Sequence, residues 1–194
     1  MSLASTSVAS PTSAPAPAGT GLHPPSTPVA SRETDLRIVP ATYEAFAPFG
    51  TLIEKAADGK LFGPDEAQLV LDRGTPRFYI LDLKQRPMAF HVITRHIAVT
   101  QCLASVGGPP WVIAVAPPDD PDNPNALPNP AQVRAFRIEG HEAIMLGRST
   151  WHAGPFFEAE AQSFFNLELA DTNQTDHHNC RLDQAFGMRY RFVE

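Results

Sequence analysis

Six of the seven histidines lie beyond residue 90: His91, His96, His141, His152, His177 and His178. An imidazole titrates near neutrality and serves as a general acid–base or a metal ligand, so these residues are placed first. None sits at a zinc-finger or zincin spacing, and no glycine-rich phosphate loop or nucleophile elbow is present. The informative pattern has two parts. Arg95-His96 is followed by Gln101 and then Gly108, and far downstream runs Gly147-Arg148-Ser149-Thr150-Trp151-His152. Separated half-sites of this kind are how a small β-barrel builds a pocket, with two hairpins pointing into one mouth. His96 and Gln101 are an odd number of positions apart, so one straight strand puts them on opposite faces. They share a pocket only across a turn or bulge. The plainer reading, in which His96 and His152 are satisfied core histidines, stands beside this one.

Other groups join the candidates. Arg77 and Arg95 can each grip a carboxylate bidentately, or pair with a surface acid instead. In Phe164-Phe165-Asn166-Leu167-Glu168-Leu169, Asn166 and Glu168 share one strand face. That face is either solvated or turned into a cavity, where Glu168 becomes an acid, a base or a ligand. Asp176-His177-His178 is a poor chelate on an extended strand, because adjacent side chains point apart. His91 reads as a core or rim histidine and His141 as a loop residue, while Trp151, Phe156 and Phe157 read as packing.

The elements that must position these groups are short. Apolar runs at 36–39, 51–54, 77–83, 89–95, 99–103, 111–116, 133–138, 143–146 and 163–169 are separated by Gly and Pro. This spacing favours a mainly β, antiparallel sandwich or barrel with a few short helices over alternating β and α units. Thr42 is placed to cap a brief helix over 43–46. Ser, Thr, Pro and Ala fill 24 of the first 34 positions, which offers too little apolar surface to offset the entropy of ordering. Residues 1–34 are therefore expected to be a disordered tail, and 35–194 a single domain. Six of the 20 prolines fall in 117–130, marking a polar loop that either overhangs the pocket or is an inert insertion.

A net charge of −6 argues against a nucleic-acid or anionic-membrane partner, yet leaves room for a small carboxylate bound by one arginine. Two cysteines, Cys102 and Cys180, form no disulfide framework, and two thiols in a reducing cytoplasm is the expectation.

The spacing resembles a degenerate cupin signature, with Thr94 at its first histidine, His96 at its second, Gln101 at its glutamate and Gly108 at its glycine. More specifically, Arg95-His96, Thr100-Gln101, the run 111–116 ahead of Pro117, and 147–152 resemble the ureidoglycolate lyase family. So do Glu44-Ala45-Phe46, Phe49-Gly50, Arg77 and Asn179-Cys180, an ordered set over roughly 36–183. The chain departs from the family where Glu-Arg-His-Pro is common, reading Thr94-Arg95-His96-Ile97. A threonine cannot replace the proton chemistry of that glutamate.

The resemblance implies a cupin-like barrel, a homodimer, and cleavage of ureidoglycolate to glyoxylate and urea in allantoin and purine-nitrogen breakdown. That reaction needs the carboxylate bound, the hydroxyl proton removed and the departing urea protonated. On the residues, Arg77 and Arg95 hold the carboxylate, Gln101 orients urea or a water, and His96, His152 and Glu168 carry proton transfers. The resemblance also implies a divalent ion, nickel among the candidates. His96, Gln101 and His152 are the ligands on offer, and an amide oxygen is a weak one for a transition metal. Two other readings remain: a cupin lyase or isomerase acting on another hydroxy or keto acid, and a non-catalytic anion-binding barrel.

Overall fold

A computed structural model describes residues 31–194. The strands are β1 (Arg32–Pro40), β2 (Gly50–Ile53), β3 (Pro76–Lys84), β4 (Ala89–Phe90), β5 (Val92–Arg95), β6 (Gln101–Ser105) and β7 (Trp111–Ala116). They continue with β8 (Arg134–Ile138), β9 (Ala143–Leu146), β10 (Trp151–Phe156), β11 (Ala161–Leu169), β12 (His178–Arg181) and β13 (Met188–Val193). Three helices of four or five residues interrupt them: α1 (Tyr43–Phe46), α2 (Thr172–Thr175) and α3 (Leu182–Phe186). As expected, the Thr42 side chain caps α1 by accepting from the Ala45 amide at 3.2 Å.

The strands form two sheets, ordered β12-β5-β10-β7-β8-β1-β13-β4 and β2-β9-β6-β11-β3. Within them, β5-β10-β7-β8 and β3-β11-β6-β9 are antiparallel throughout. Those eight strands alternate between the sheets in jelly-roll order, the double Greek key of the cupin-like barrels. The mainly β, cupin-like fold expected from the sequence is therefore present. Parallel pairing enters only with β1, which lies between β8 and β13 and extends the first sheet.

The chain enters the fold earlier than expected. β1 begins at Arg32, three residues before Asp35, because 32–37 pair with β13. Residues 1–30 of the expected tail lie outside the described residues. The apolar run 89–95 is also not one strand. It divides at His91, so that β4 joins β13 while β5 joins β10 and β12.

Two cores result. Trp111, Ile113 and Val115 of β7 pack between the sheets with Phe46, Phe136, Ile144 and Phe164. Their neighbours Val112, Ala114 and Ala116 pack in a second cluster with Leu182, Tyr190 and Phe192 of the C-terminal elements. A strand buried on both faces reads as a continuous apolar run rather than an alternating one, which is why 111–116 lacks a period of two. Among the described residues the second sheet has no such cover on its outer side, where Phe78, Ile80 and Phe165 are 68%, 57% and 37% exposed and the two phenyl rings stack at 5.7 Å.

The proline-rich loop 117–130 is held down rather than poised over the pocket. Arg95 is fully buried and donates to the Asp120 carbonyl at 3.2 Å and to the Asn123 carbonyl. Its guanidinium lies 4.6 Å from the centre of the Trp151 ring, a cation–π arrangement. The Ser149 hydroxyl donates to the Pro121 carbonyl, and Arg148 reaches Asp122. No residue of this loop lines the main cavity. Replacing Arg95 by Met should therefore destabilise the fold by about 2–4 kcal/mol, since two hydrogen bonds from a buried guanidinium to the loop are lost together. Chemical denaturation measures this, and a wild-type midpoint for Arg95→Met would rule out the clamp.

Candidate functional site

Between the sheets, beyond the end of the apolar core, lies a cavity of about 660 Å³. Thr94, His96 and His152 reach it from the first sheet, and Tyr79, Gln101, Asn166 and Glu168 from the second. His96 follows β5 and Gln101 opens β6, with a turn between them carrying the chain to the other sheet. The turn thus resolves the odd spacing, and the two residues face each other across the barrel. β10 supplies His152 opposite Thr94 in register. The turn ahead of β10 is tied to the histidine on β5, because the Ser149 amide donates to the His96 carbonyl at 2.6 Å.

Both histidines have their tautomer decided by a backbone carbonyl. Nδ1 of His96 lies 2.7 Å from the Asp176 carbonyl oxygen, and Nδ1 of His152 lies 3.1 Å from that of Thr150. A carbonyl only accepts, so each Nδ1 carries the proton and each Nε2 keeps its lone pair. The rings are 5.1 Å apart, and His177 approaches His96 edge-on at 5.6 Å. Burial lowers the pKa of both. For His152 burial and then the nearby His96 ring push it down to about 3, while for His96 the Asp176 carbonyl and carboxylate and Glu168 offset part of the burial. Two neutral imidazoles therefore present basic nitrogens to the cavity at neutral pH.

The facing wall is a hydrogen-bonded chain centred on Glu168. Tyr79 donates its hydroxyl to Oε1 at 2.9 Å, and the Gln101 amide nitrogen donates to Oε2 at 3.0 Å. Asn166 donates to the Tyr79 hydroxyl at 3.0 Å, and Asn173 reaches Oε1 at 3.4 Å. Burial raises the Tyr79 pKa, which keeps its hydroxyl protonated and donating. Of the two alternatives for Glu168, the cavity-lining one is realised. Its carboxylate enters from β11, whereas Thr94, at the position where a family glutamate is common, bonds Asn179.

The arginines separate. Arg95 does not reach the cavity, and its expected role in carboxylate binding is corrected: strand alternation that sends His96 inward sends Arg95 into the opposite core, under the proline-rich loop. Arg77 sits at the exposed rim, paired in register with Glu168 and stacked over the Tyr79 ring at 3.7 Å. Arg86 and Arg189 line the cavity's far end, where Arg86 lies 4.4 Å from the centre of the Phe156 ring. Phe156 is four positions along β10 from His152, about 13 Å of strand.

The divalent metal implied by the resemblance finds no adequate donor set. Among the described residues no three His, Cys, Asp or Glu side chains converge on one ion position. Gln101 turns its amide nitrogen to Glu168, and both oxygens of Glu168 already accept hydrogen bonds. The ligand set of His96, Gln101 and His152 is corrected accordingly: the two histidines offer Nε2, and no carboxylate completes them.

Sequence reasoning passed over Tyr79 and Asn173. The signal for Tyr79 lay in the alternation of Arg77, Tyr79 and Leu81, which faces Glu168 and Asn166 once β3 and β11 pair. The adjacent histidines do point apart. His177 turns to the cavity, and Nε2 of His178 lies 3.3 Å from the Asp176 carboxylate. His91 is a rim residue, as one of its two readings had it.

A jelly-roll barrel enclosing paired imidazoles that face a buried carboxylate is a small-molecule site of the cupin kind. The model of the ureidoglycolate lyase family matches residues 33–188. The chain belongs to that family. Ureidoglycolate lyases of Pseudomonas aeruginosa strain LESB58 and Azotobacter vinelandii are 30% and 29% identical to it over 130 and 129 residues. These alignments cover 60% of this chain and 73% and 74% of those relatives. A crystal structure of a dTDP sugar isomerase from Desulfovibrio desulfuricans G20 superposes with a TM-score of 0.41 at 15% identity, over 72% of this chain and 88% of that one. No helix among the described residues is long and apolar enough to cross a membrane.

Neutral buried histidines have a consequence for stability. The unfolded chain takes up a proton at each imidazole near pH 6.5, whereas the folded His152 resists until about pH 3. Below about pH 6.5 the unfolded state binds more protons, so this contribution is complete above that pH and is lost as pH falls towards the folded value. His152 alone accounts for a slope of up to ~1.4 kcal/mol per pH unit across that window. His152→Gln should flatten unfolding free energy against pH between roughly 6 and 4. A slope equal to wild type would exclude His152 as its source.

Proposed function

We propose that the protein cleaves ureidoglycolate to glyoxylate and urea, a step of allantoin and purine-nitrogen breakdown. The reading rests on one observation above the others: two Nδ1-protonated, neutral imidazoles face the Glu168 carboxylate across a cavity. The substrate's central carbon carries a hydroxyl, a carboxylate and a urea nitrogen. His96 takes the hydroxyl proton on Nε2, because the Asp176 and Glu168 charges support its imidazolium while His152 gains no such help. The freed O–H pair becomes the carbonyl of glyoxylate, and the C–N pair leaves on nitrogen. That nitrogen receives the proton back from His96, so urea departs neutral and the imidazole is regenerated. Arg77, the cation beside the Tyr79–Glu168 pair, holds the carboxylate.

Equimolar glyoxylate and urea, released above the spontaneous rate, are the expected products. Ammonia in place of urea, or no excess rate, would sink the assignment. His96→Gln should lower kcat/KM by about 10²–10⁴ with little change in melting temperature. Because burial lowers the His96 pKa from its ordinary 6.5, the acid limb of kcat/KM should fall below that value rather than at it.

The assembly proposed with this activity is a homodimer joined through the uncovered face of the second sheet. Phe78, Ile80 and Phe165 supply an apolar, stacked patch there beside the edge strand β3. Light scattering should give twice the 21.1 kDa chain mass, and Phe78→Asp should give monomers that remain folded. A monomeric wild type would refute it.

A further inference from the structure

The Glu168 chain leaves two buried acceptors without partners, and its polarity decides which atoms they are. A carboxylate accepts, so Tyr79 must donate to Oε1 and Gln101 must present its nitrogen to Oε2. The Tyr79 hydroxyl, its proton committed to Glu168, can then only accept, so Asn166 must present its nitrogen too. Both amides are thereby turned the same way round. Gln101 Oε1 and Asn166 Oδ1 have no hydrogen-bond partner among the described residues. Their residues are 9% and 1% exposed, and both line the cavity. A buried amide oxygen left unpaired is costly, and two on one cavity wall define the donors that a ligand there must bring.

We infer that Gln101 and Asn166 form an acceptor pair that recognises the N–H groups of a primary amide or ureido group. An anion is excluded from the space against these two amide oxygens, because they would face its oxygens acceptor to acceptor. A methyl group fits the space but leaves both oxygens unpaired. A terminal NH₂, alone or with the adjoining N–H, supplies the donors that are missing. The pair therefore sets both specificity and orientation: the amide end of a ligand lies against Gln101 and Asn166, and its acid end points away from those two side chains, across the sheet towards Arg77 of β3. Identifying that amide with the ureido end of ureidoglycolate rests on the function proposed above, whereas the acceptor pair itself does not.

Hydantoate and N-acetylglycine provide the test. Both are unreactive carboxylates of nearly the same shape, and they differ in NH₂ against CH₃ at the end of the acyl group. Titration calorimetry on the full-length protein should give about tenfold or more tighter binding of hydantoate. In Asn166→Leu and Gln101→Met that preference should fall towards unity, with N-acetylglycine binding held near its wild-type value. Equal binding of the two ligands by wild type, binding of neither, or an undiminished preference in both folded variants would overturn the pair. The wild-type comparison decides the matter even where a variant fails to fold. Ureidoglycolate turnover by wild type separates the two claims. A preference for hydantoate without turnover defeats the lyase reading and keeps the amide subsite, and turnover without any preference does the reverse.

Discussion

Groups that can only accept a hydrogen bond govern this cavity. The carbonyls of Asp176 and Thr150 hold a proton on Nδ1 of each histidine, and Glu168 orients Tyr79, Gln101 and Asn166 in turn. None of these choices is made by the reactive residue itself. Each follows from what its fixed neighbour cannot do. The histidine side of the cavity is consequently left with lone pairs on nitrogen, and the Glu168 side with lone pairs on amide oxygen. A ligand that brings hydroxyl and N–H donors completes both walls at once.

The scaffold explains why the neighbours are fixed. The central strands β7 and β10 of the first sheet are buried on both faces, against the second sheet on one side and against α3 and the outlying strands β12 and β13 on the other. Strands in that position have little freedom to shift register. Asp176, whose carbonyl sets the His96 tautomer, is itself pinned by the Ile97 and Ala98 amides at 2.8 and 2.7 Å. The loop that carries the chain from His96 to Gln101 therefore begins at one of the most constrained points of the barrel. Preorganisation of this kind is what general-base chemistry asks of a site.

Much of the barrel was legible as short apolar runs broken by Gly and Pro, and nearly every run became a strand. What escaped has particular causes. Gly154 and Pro155 disguise β10, where the pairing with β7 slips in register and a strand tolerates both residues. β13 alternates openly, with Tyr190 and Phe192 buried and Arg189 and Arg191 exposed. It was hidden only by its separation from the other runs. His96, Gln101, His152 and Glu168 could be picked out because their types suit chemistry. Tyr79 and Asn173 could not, since their parts depend on which strand lies across from which.

The reading of Arg95 turned on that same dependence. Arg-His and Trp-His look like units in the sequence, but on a strand neighbours serve opposite faces. Thr94 and His152 are paired in register, which sets Arg95 beside Trp151 on the outer side of the sheet and His96 beside His152 on the inner. One pair of strands thus carries two layers. The outer layer clamps the proline-rich loop through a buried cation and an indole ring. The inner layer presents two imidazoles to the cavity. An adjacent arginine is therefore no evidence of anion binding beside a strand histidine, because the strand that turns the imidazole inward turns the guanidinium outward.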